Sequence, residues 1–315
     1  MKKPLIVLTG PTAVGKTSLS IQLAKRIGGE IVSADSMQVY RYMNIGSAKI
    51  IPEEMEGVPH HLVDILDPRE DFHIVRFQEM ALEAMKGIYE RGHIPMLVGG
   101  TGFYIQAVTR GIDFTRADQM DDRRKELEYL AEEYGAEYLH SLLSEKDPAA
   151  AASIHPHNIK RVIRALEFYE QNQKPISQHN LEERQKESPY ALSYFVLNMP
   201  RELLYRRIDE RVDRMMEEGL LQEVQMLLDM GVHRPMTSMQ AIGYKEIADY
   251  LEGVYPLEEA VRVLKRDTRH FAKRQLTWFR REPDVIWVDK DRFDYNDEMI
   301  LDYMVETIRA KNCQN

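Results

Sequence analysis

The chain holds a single cysteine, Cys313, close to its C-terminal end. No disulfide framework and no cysteine-based zinc site can be built from one thiol. Long apolar runs are missing too. Nothing approaches the length of a membrane-spanning helix, about 20 apolar residues. Met1-Lys2-Lys3-Pro4 leads into only Leu5-Ile6-Val7-Leu8, which is too short for a signal-peptide core. A cytoplasmic protein with no membrane contact is expected. An excess of positive charge is also lacking: 42 Lys and Arg stand against 51 Asp and Glu, a net charge of −9. That excludes a uniformly basic nucleic-acid coat but leaves room for a local basic patch. There is no internal repeat, and no low-complexity tract beyond the alanines at 149–152. What is present, 43% hydrophobic residues over 315 positions, is enough for a core in one large or two modest domains.

The order of segments predicts a parallel α/β sheet. Residues 5–8 form a short continuous apolar run, as a buried parallel strand does. A helix follows over 15–27 and stops at Gly28-Gly29. A strand is expected at 30–34, ending on Asp35-Ser36, and another apolar segment at 61–65, ending on Asp67-Pro68. A helix over 74–91 leads to a strand at 94–98. Strands alternating with helices indicate a parallel, right-handedly wound sheet. From residue 113 to about 189 the sequence turns charged and helical, as at 121–134 and 158–171, without a convincing strand. A strand returns at 191–199. Helices at 201–218, 220–230 and 256–281 and a late strand at 285–288 follow. The expected organisation is an α/β core over 1–114, a helical insertion over 115–189, and the rest of the core with C-terminal helices over 190–315.

Residues Gly10 to Thr17 read "GPTAVGKT", a fit to G-x-x-x-x-G-K-[ST] between a strand and a helix, which is the setting this phosphate cradle needs. Gly10 and Gly15 let the backbone aim N–H groups at one point. Lys16 adds a cation, the Thr17 hydroxyl can ligate Mg²⁺, and the helix N-terminus adds partial positive charge. The motif specifies phosphate but not whose phosphate.

"IVSADSMQVY" sets Asp35 and Ser36 at the carboxyl end of the second strand, where parallel sheets hold their ligands. Asp35 can serve as a general base, hold Mg²⁺ through water, or simply cap a helix. Gly99-Gly100-Thr101-Gly102 leaves another strand end and permits close backbone approach to a ligand. No acidic residue ends the strand before it, which counts against an ordinary ATPase.

Residues 262–281, "RVLKRDTRHFAKRQLTWFRR", carry eight Lys and Arg against Asp267 alone. Arg262, Arg266, Arg269 and Lys273 share one helical face, with Leu264, Phe271 and Trp278 nearer the other. Lys160-Arg161-Val162-Ile163-Arg164 is a second basic cluster, inside the insertion. Such patches suit a polyanion, a solvated helix face, or the phosphates of a small substrate. His60, His61, His73, His155 and His157 lack metal-ligand spacing and are assigned structural or polar contacts. Met215, Met216, Met226 and Met230 are assigned to helix packing, and Trp278 and Trp287 to the core.

"GPTAVGKT", "SADSMQVYRYMNIGSAK", "PHHLVDILDP", "LVGGTGFY", "IHPHNIKRVIRALE", "AIGYKE" and "AKRQLTWFRR" occur in this order over about residues 4–290. In this the chain resembles the tRNA dimethylallyltransferases, also called tRNA isopentenyltransferases. It departs from the family pattern at Ser47, where Thr is common, and keeps the hydroxyl. Its one cysteine excludes the C-terminal zinc finger of some eukaryotic relatives, so the resemblance is to the bacterial form.

The resemblance implies a P-loop NTPase-like fold and a reaction in which dimethylallyl diphosphate alkylates N6 of adenosine 37 in tRNA, next to the anticodon. Mg²⁺ would assist, and no ATP need be hydrolysed. Gly10, Thr12, Ala13, Val14, Gly15, Lys16 and Thr17 would hold the diphosphate, with Arg211 joining them. Asp35 and Thr101 would complete the catalytic set. The tRNA anticodon stem-loop would meet Asp35, Ser36, Met37, Gln38, Thr101, Arg123, Lys160, Arg161, Val162, Ile163, Arg164, Gln240, Ala241, Ile242, Gly243, Tyr244 and Lys245, with the insertion closing on it. A monomer is expected. The rival readings are a P-loop kinase using ATP and a small acceptor, and a nucleotide-switch or RNA-binding protein without chemistry.

Overall fold

Leu5 and Val7 join one hydrophobic cluster, and Ile6 and Leu8 join another. This alternation follows from the two-residue period of a strand and places apolar layers on both faces of the sheet. The computed structural model describes residues 2–112, 114, 121–283 and 285–314. Its strands are β1 (Lys3–Thr9), β2 (Gly29–Ser33), β3 (His60–His61), β4 (Ile94–Gly99), β5 (Tyr190–Asn198) and β6 (Val285–Asp289). All pair in parallel, in the order β3-β2-β4-β1-β5-β6. The helices of this unit are α1 (Lys16–Ile27), α2 (Ile74–Glu90) and α3 (Gly102–Thr109). Between them and the rest of the unit lie α4 (Asp121–Tyr134), α5 (Ala136–Lys146), α6 (Pro148–Ser153), α7 (Ile159–Asn172) and α8 (Ile176–Gln185). Then come α9 (Arg201–Glu217), α10 (Leu220–Asp229), α11 (Tyr244–Leu251), α12 (Leu257–Phe279) and α13 (Asp297–Gln314).

The chain divides into two compact units, residues 1–109 with 189–315, and residues 110–188. The first holds the sheet. The second holds α4 to α8 around a core of its own, in which Leu139, Leu143 and Val162 are fully buried. Residue 113, where the change of character is expected, and residues 115–120 lie outside the described residues. No helix among the described residues is long and apolar enough to cross a membrane.

The apolar segment at 61–65 enters the sheet by a single residue. Only His60–His61 pairs with β2; Leu62 and Asp64 take positive φ, which breaks the strand. The cause is Lys49. Its buried ammonium donates to Tyr40 O (2.5 Å), Asn44 Oδ1 (2.8 Å) and Asp64 Oδ1 (2.6 Å). A buried cation demands such partners, and here they fasten the irregular segment that follows Asp35. The exposed Met226 departs from its expected packing role. Among the histidines, His61 contacts buried Glu30, His60 the Val58 carbonyl, and His73 caps α2.

Candidate active site

Three loops meet at the carboxyl edge of the sheet. The first leaves β1. Gly10 has φ +146°, and a Cβ on it would stand 2.5 Å from Leu197 O of β5. Gly15, at φ +90°, is the N-cap of α1 and takes the left-handed conformation open to glycine. Val14 is buried in the core, so it anchors the loop and can offer only its backbone to a ligand. Lys16 Nζ donates to Gly10 O (3.0 Å) and Pro11 O (2.8 Å), curling over the loop. The Thr17 side chain is exposed on the first turn of α1, and its hydroxyl has no partner among the described residues. Behind the loop, Lys290 Nζ comes within 3.4 Å of the place a Gly15 Cβ would occupy and pairs with Asp297 Oδ1 (2.9 Å).

The second loop leaves β2. Asp35 Oδ1 accepts from the backbone N–H of Met37 (2.9 Å) and Gln38 (3.4 Å), closing an Asx turn. The capping role anticipated for Asp35 is therefore real, but it caps a turn and not a helix. Oδ2 has no donor among the described residues and remains available. Gln38 donates to Ser47 O (3.4 Å) and Ala48 O (3.2 Å), so its amide braces the loop. The third loop, Gly99 to Gly102, sits between the other two because β4 lies between β1 and β2. Its glycines admit protein atoms: a Cβ at Gly99 would overlap the Ala34 carbonyl, one at Gly100 the Gln275 amide, and one at Gly102 the Trp278 indole. The close approach expected there is to the fold itself. Thr101 N donates to Ala34 O (3.2 Å), which ties this loop to the Asp35 strand.

Gln275 on α12 joins the loops. Its Oε1 accepts from Thr12 N (3.0 Å), and its Nε2 donates to Gly100 O (3.0 Å). Sequence reasoning missed this residue. The available signal was a glutamine on the buried face of α12, three residues from Ala272 and four from Phe279, both fully buried. Glu223 was missed as well. Its carboxylate accepts from the N–H groups of Asn44 (2.8 Å), Ile45 (2.8 Å) and Gly46 (3.1 Å) and from the Tyr244 hydroxyl (2.7 Å).

The electrostatics favour an anion. Burial, and after it the Arg211 guanidinium, pushes Lys16 down to about 8, while Asp35 acts in the opposite sense. Arg211, on α9, is likewise lowered by burial, with Asp35 opposing the shift. Two cations that desolvation disfavours thus face one carboxylate beside a helix N-terminus, and a multiply charged anion would relieve both.

Several of the residues expected at an RNA surface have other work. Val162 and Ile163 are 0% and 1% exposed in the core of the insertion, because α7 turns those positions inward; Lys160 and Arg161 are exposed. Arg123 is held by Glu170 (2.6 and 2.7 Å) and Glu126 (2.6 Å), which raise its pKa further. Ala241, Gly243 and Tyr244 are buried, the Tyr244 ring filling the space left by the missing Cβ of Gly46. Gln240 is exposed, and Ile242 and Lys245 are half-buried.

A parallel α/β sheet with a P-loop, a carboxylate across from it and a glycine loop between defines a P-loop protein. The IPP transferase family model matches residues 38–282 and the isopentenyl transferase model residues 3–65. The tRNA dimethylallyltransferase of Lachnoclostridium phytofermentans is 59% identical over 98% of each chain, and that of Carboxydothermus hydrogenoformans 53% identical over 93% of this chain and 94% of its own. The crystal structure of tRNA isopentenylpyrophosphate transferase from Bacillus halodurans is 48% identical, superposes with a TM-score of 0.75 and covers 99% of each chain. A eukaryotic dimethylallyltransferase described as acting on tRNA is 32% identical with a TM-score of 0.79, over 91% of this chain and 74% of its own. The chain belongs to the tRNA isopentenyltransferase (IPP transferase) family.

Proposed function

We propose that the chain transfers the dimethylallyl group of dimethylallyl diphosphate to N6 of adenosine 37 in tRNA, giving N6-isopentenyladenosine and diphosphate. The observation that carries this reading is the placement of Asp35, with Oδ2 free of protein donors, opposite a P-loop whose Lys16 and the nearby Arg211 both call for an anion. The P-loop N–H groups, Lys16 and Arg211 bind the donor's diphosphate. The adenine N6 lone pair attacks the allylic carbon, and the carbon–oxygen bond to diphosphate breaks. The N6 proton passes to Asp35 Oδ2, which offsets the weak nucleophilicity of an exocyclic amine. Lys16, Arg211 and the end of α1 stabilise the charge that grows on the leaving group. Thr101, tied to the Asp35 strand, positions the base.

Mg²⁺ fits the donor set: it takes few protein ligands and keeps substrate oxygens and waters, and the unpartnered Thr17 hydroxyl offers one such ligand. When bound, the ion neutralises charge on the departing diphosphate. The acceptor base must leave its stack, at a cost of roughly a few kcal/mol that a loop base keeps low. Lys160, Arg161, Arg164, Gln240 and Lys245 supply contacts to the RNA. Every group named stands on one chain, which acts as a monomer.

The test is product mass. The protein is incubated with Mg²⁺ and unmodified tRNA, with dimethylallyl diphosphate in one tube and ATP in another, and the digested nucleosides are weighed. An adenosine heavier by one five-carbon alkenyl group in the first tube alone is expected. ADP in the second tube without that product would overturn the reading in favour of a kinase.

A further inference from the structure

Glu223 is a buried carboxylate on α10, away from the reacting groups, and its acceptor capacity is filled. Its Oε2 accepts from the backbone N–H groups of Asn44 and Ile45 (2.8 Å each). Its Oε1 accepts from Gly46 N–H (3.1 Å) and from the Tyr244 hydroxyl (2.7 Å). An ionised carboxylate offers about four acceptor sites and no donor, and four donors converge on this one. Successive N–H groups aimed at one point form a concavity for an anion. Here the chain fills it with its own side chain.

The other end of the same turn reaches the active site. Gln38 Nε2 donates to Ser47 O (3.4 Å) and Ala48 O (3.2 Å), while the Gln38 backbone N–H donates to Asp35 Oδ1 (3.4 Å). The turn between is braced internally. Ala48 N–H donates to Ile45 O and Lys49 N–H to Asn44 O (2.9 Å each), and the Ser47 hydroxyl donates to Met43 O (2.6 Å). A displacement at the Glu223 end is therefore passed on to Gln38. Gly46 lets Tyr244 close against the turn, since a Cβ there would stand 2.5 Å from the ring. Glu223 and Tyr244 thus grip residues 44–46 from α10 and α11 together.

We propose that Glu223 is a positioning residue for the alkyl transfer: by holding the 44–48 turn it sets, through Gln38, where the Asp35 carboxylate stands against the acceptor amine. This rests on the reading of the chain as a tRNA-modifying alkyl transferase. Placement at this distance matters, because a shift of about 1 Å at a reacting group can cost about 10²-fold in rate. The donor's diphosphate is held by other elements, the loop after β1 and Arg211 on α9. Loss of Glu223 therefore slows the step that needs Asp35 and leaves donor binding in place.

The experiment measures the single-turnover rate of alkyl transfer with protein in saturating excess over unmodified tRNA, and the donor concentration that gives half that rate. In this regime the rate does not depend on how much of the sample is folded, so a loss of stability alone does not move it. Glu223→Gln keeps the side chain's size but brings one acceptor oxygen and sets an NH₂ group against N–H donors. The control is Glu30→Gln. Glu30 is also buried and accepts from Arg91, and it lies near the start of β2, the end remote from Asp35.

Glu223→Gln is expected to slow transfer about 10- to 100-fold and to leave the half-saturating donor concentration within about twofold of its starting value. Glu30→Gln is expected to lower Tm and keep the rate. An unslowed Glu223→Gln, or equal slowing in both variants, overturns the proposal. On a Gln38→Ala background the Glu223→Gln change should cost less than about a further twofold; a full second loss there overturns the route through Gln38. Should Glu223→Gln fail to fold, Tyr244→Phe, which removes one of the four donors, must show the same split at a smaller size, about two- to fivefold. If the unaltered protein makes no alkylated adenosine, the proposed function and this assignment fall together. Product from the unaltered protein beside an unslowed Glu223→Gln overturns this assignment alone.

Discussion

Asp35 combines two roles in one carboxylate. Oδ1 closes the turn to Met37 and Gln38, and Oδ2 is left for the substrate. Asp35→Asn keeps an acceptor for the turn but cannot take a proton. Turnover is expected to fall about 10²- to 10⁴-fold while tRNA affinity stays near its starting value; near-normal turnover would remove Asp35 as the base. Lys16 makes the second prediction at this scale. With its pKa lowered to about 8, the ammonium loses its proton well below the usual lysine range. Donor kcat/KM is thus expected to decline as pH rises through about 8, and a profile flat to pH 9.5 would contradict this. The linkage sign runs the other way for stability. Between pH 8 and 10.5 the unfolded chain binds more protons than the folded one, so this group's contribution to stability rises with pH there.

At the scale of elements, the site is a set of loops locked together by missing side chains. β4 separates β1 from β2, and only a glycine at 99 lets its loop lie against the Ala34 carbonyl. Gly99→Ala would force the two loops apart, with an expected loss of about 1–3 kcal/mol, read as a lower Tm together with a lower kcat. A variant as stable and as fast as the starting protein would show that the contact carries nothing. Helix α12 has the complementary task. Its glutamine reaches Thr12 of the P-loop and Gly100 of the third loop at once, which makes it a strut between the donor and acceptor sides.

At the scale of the molecule, a sheet unit and a helical unit each possess a core, and the cations assigned to RNA are distributed over both. In the insertion, Lys160 and Arg161 project while Val162 and Ile163 hold α7 in place. Neutralising Arg161 and Arg164 is expected to weaken tRNA binding and to flatten its salt dependence by about 0.7–0.9 of slope per contact. If the slope persists, the RNA lies elsewhere on the molecule.

Much of this was readable from the chain alone, because it depends on local periodicity and on short motifs. The continuous apolar run at Leu5–Leu8 marks a buried parallel strand, the glycines of residues 10–17 mark a phosphate loop, and the loss of strand pattern after residue 113 marks an insertion. The ordered motifs identified the family. Tertiary structure alone decided which member of each basic cluster is free. Arg123 meets Glu170, 47 residues away, and Arg269 meets Asp209, 60 residues away. No window along the sequence contains such partners. The end of β3 at His61 was hidden for a like reason: the buried Lys49 ammonium holds Asp64, 15 residues away, in the segment where Leu62 and Asp64 take positive φ.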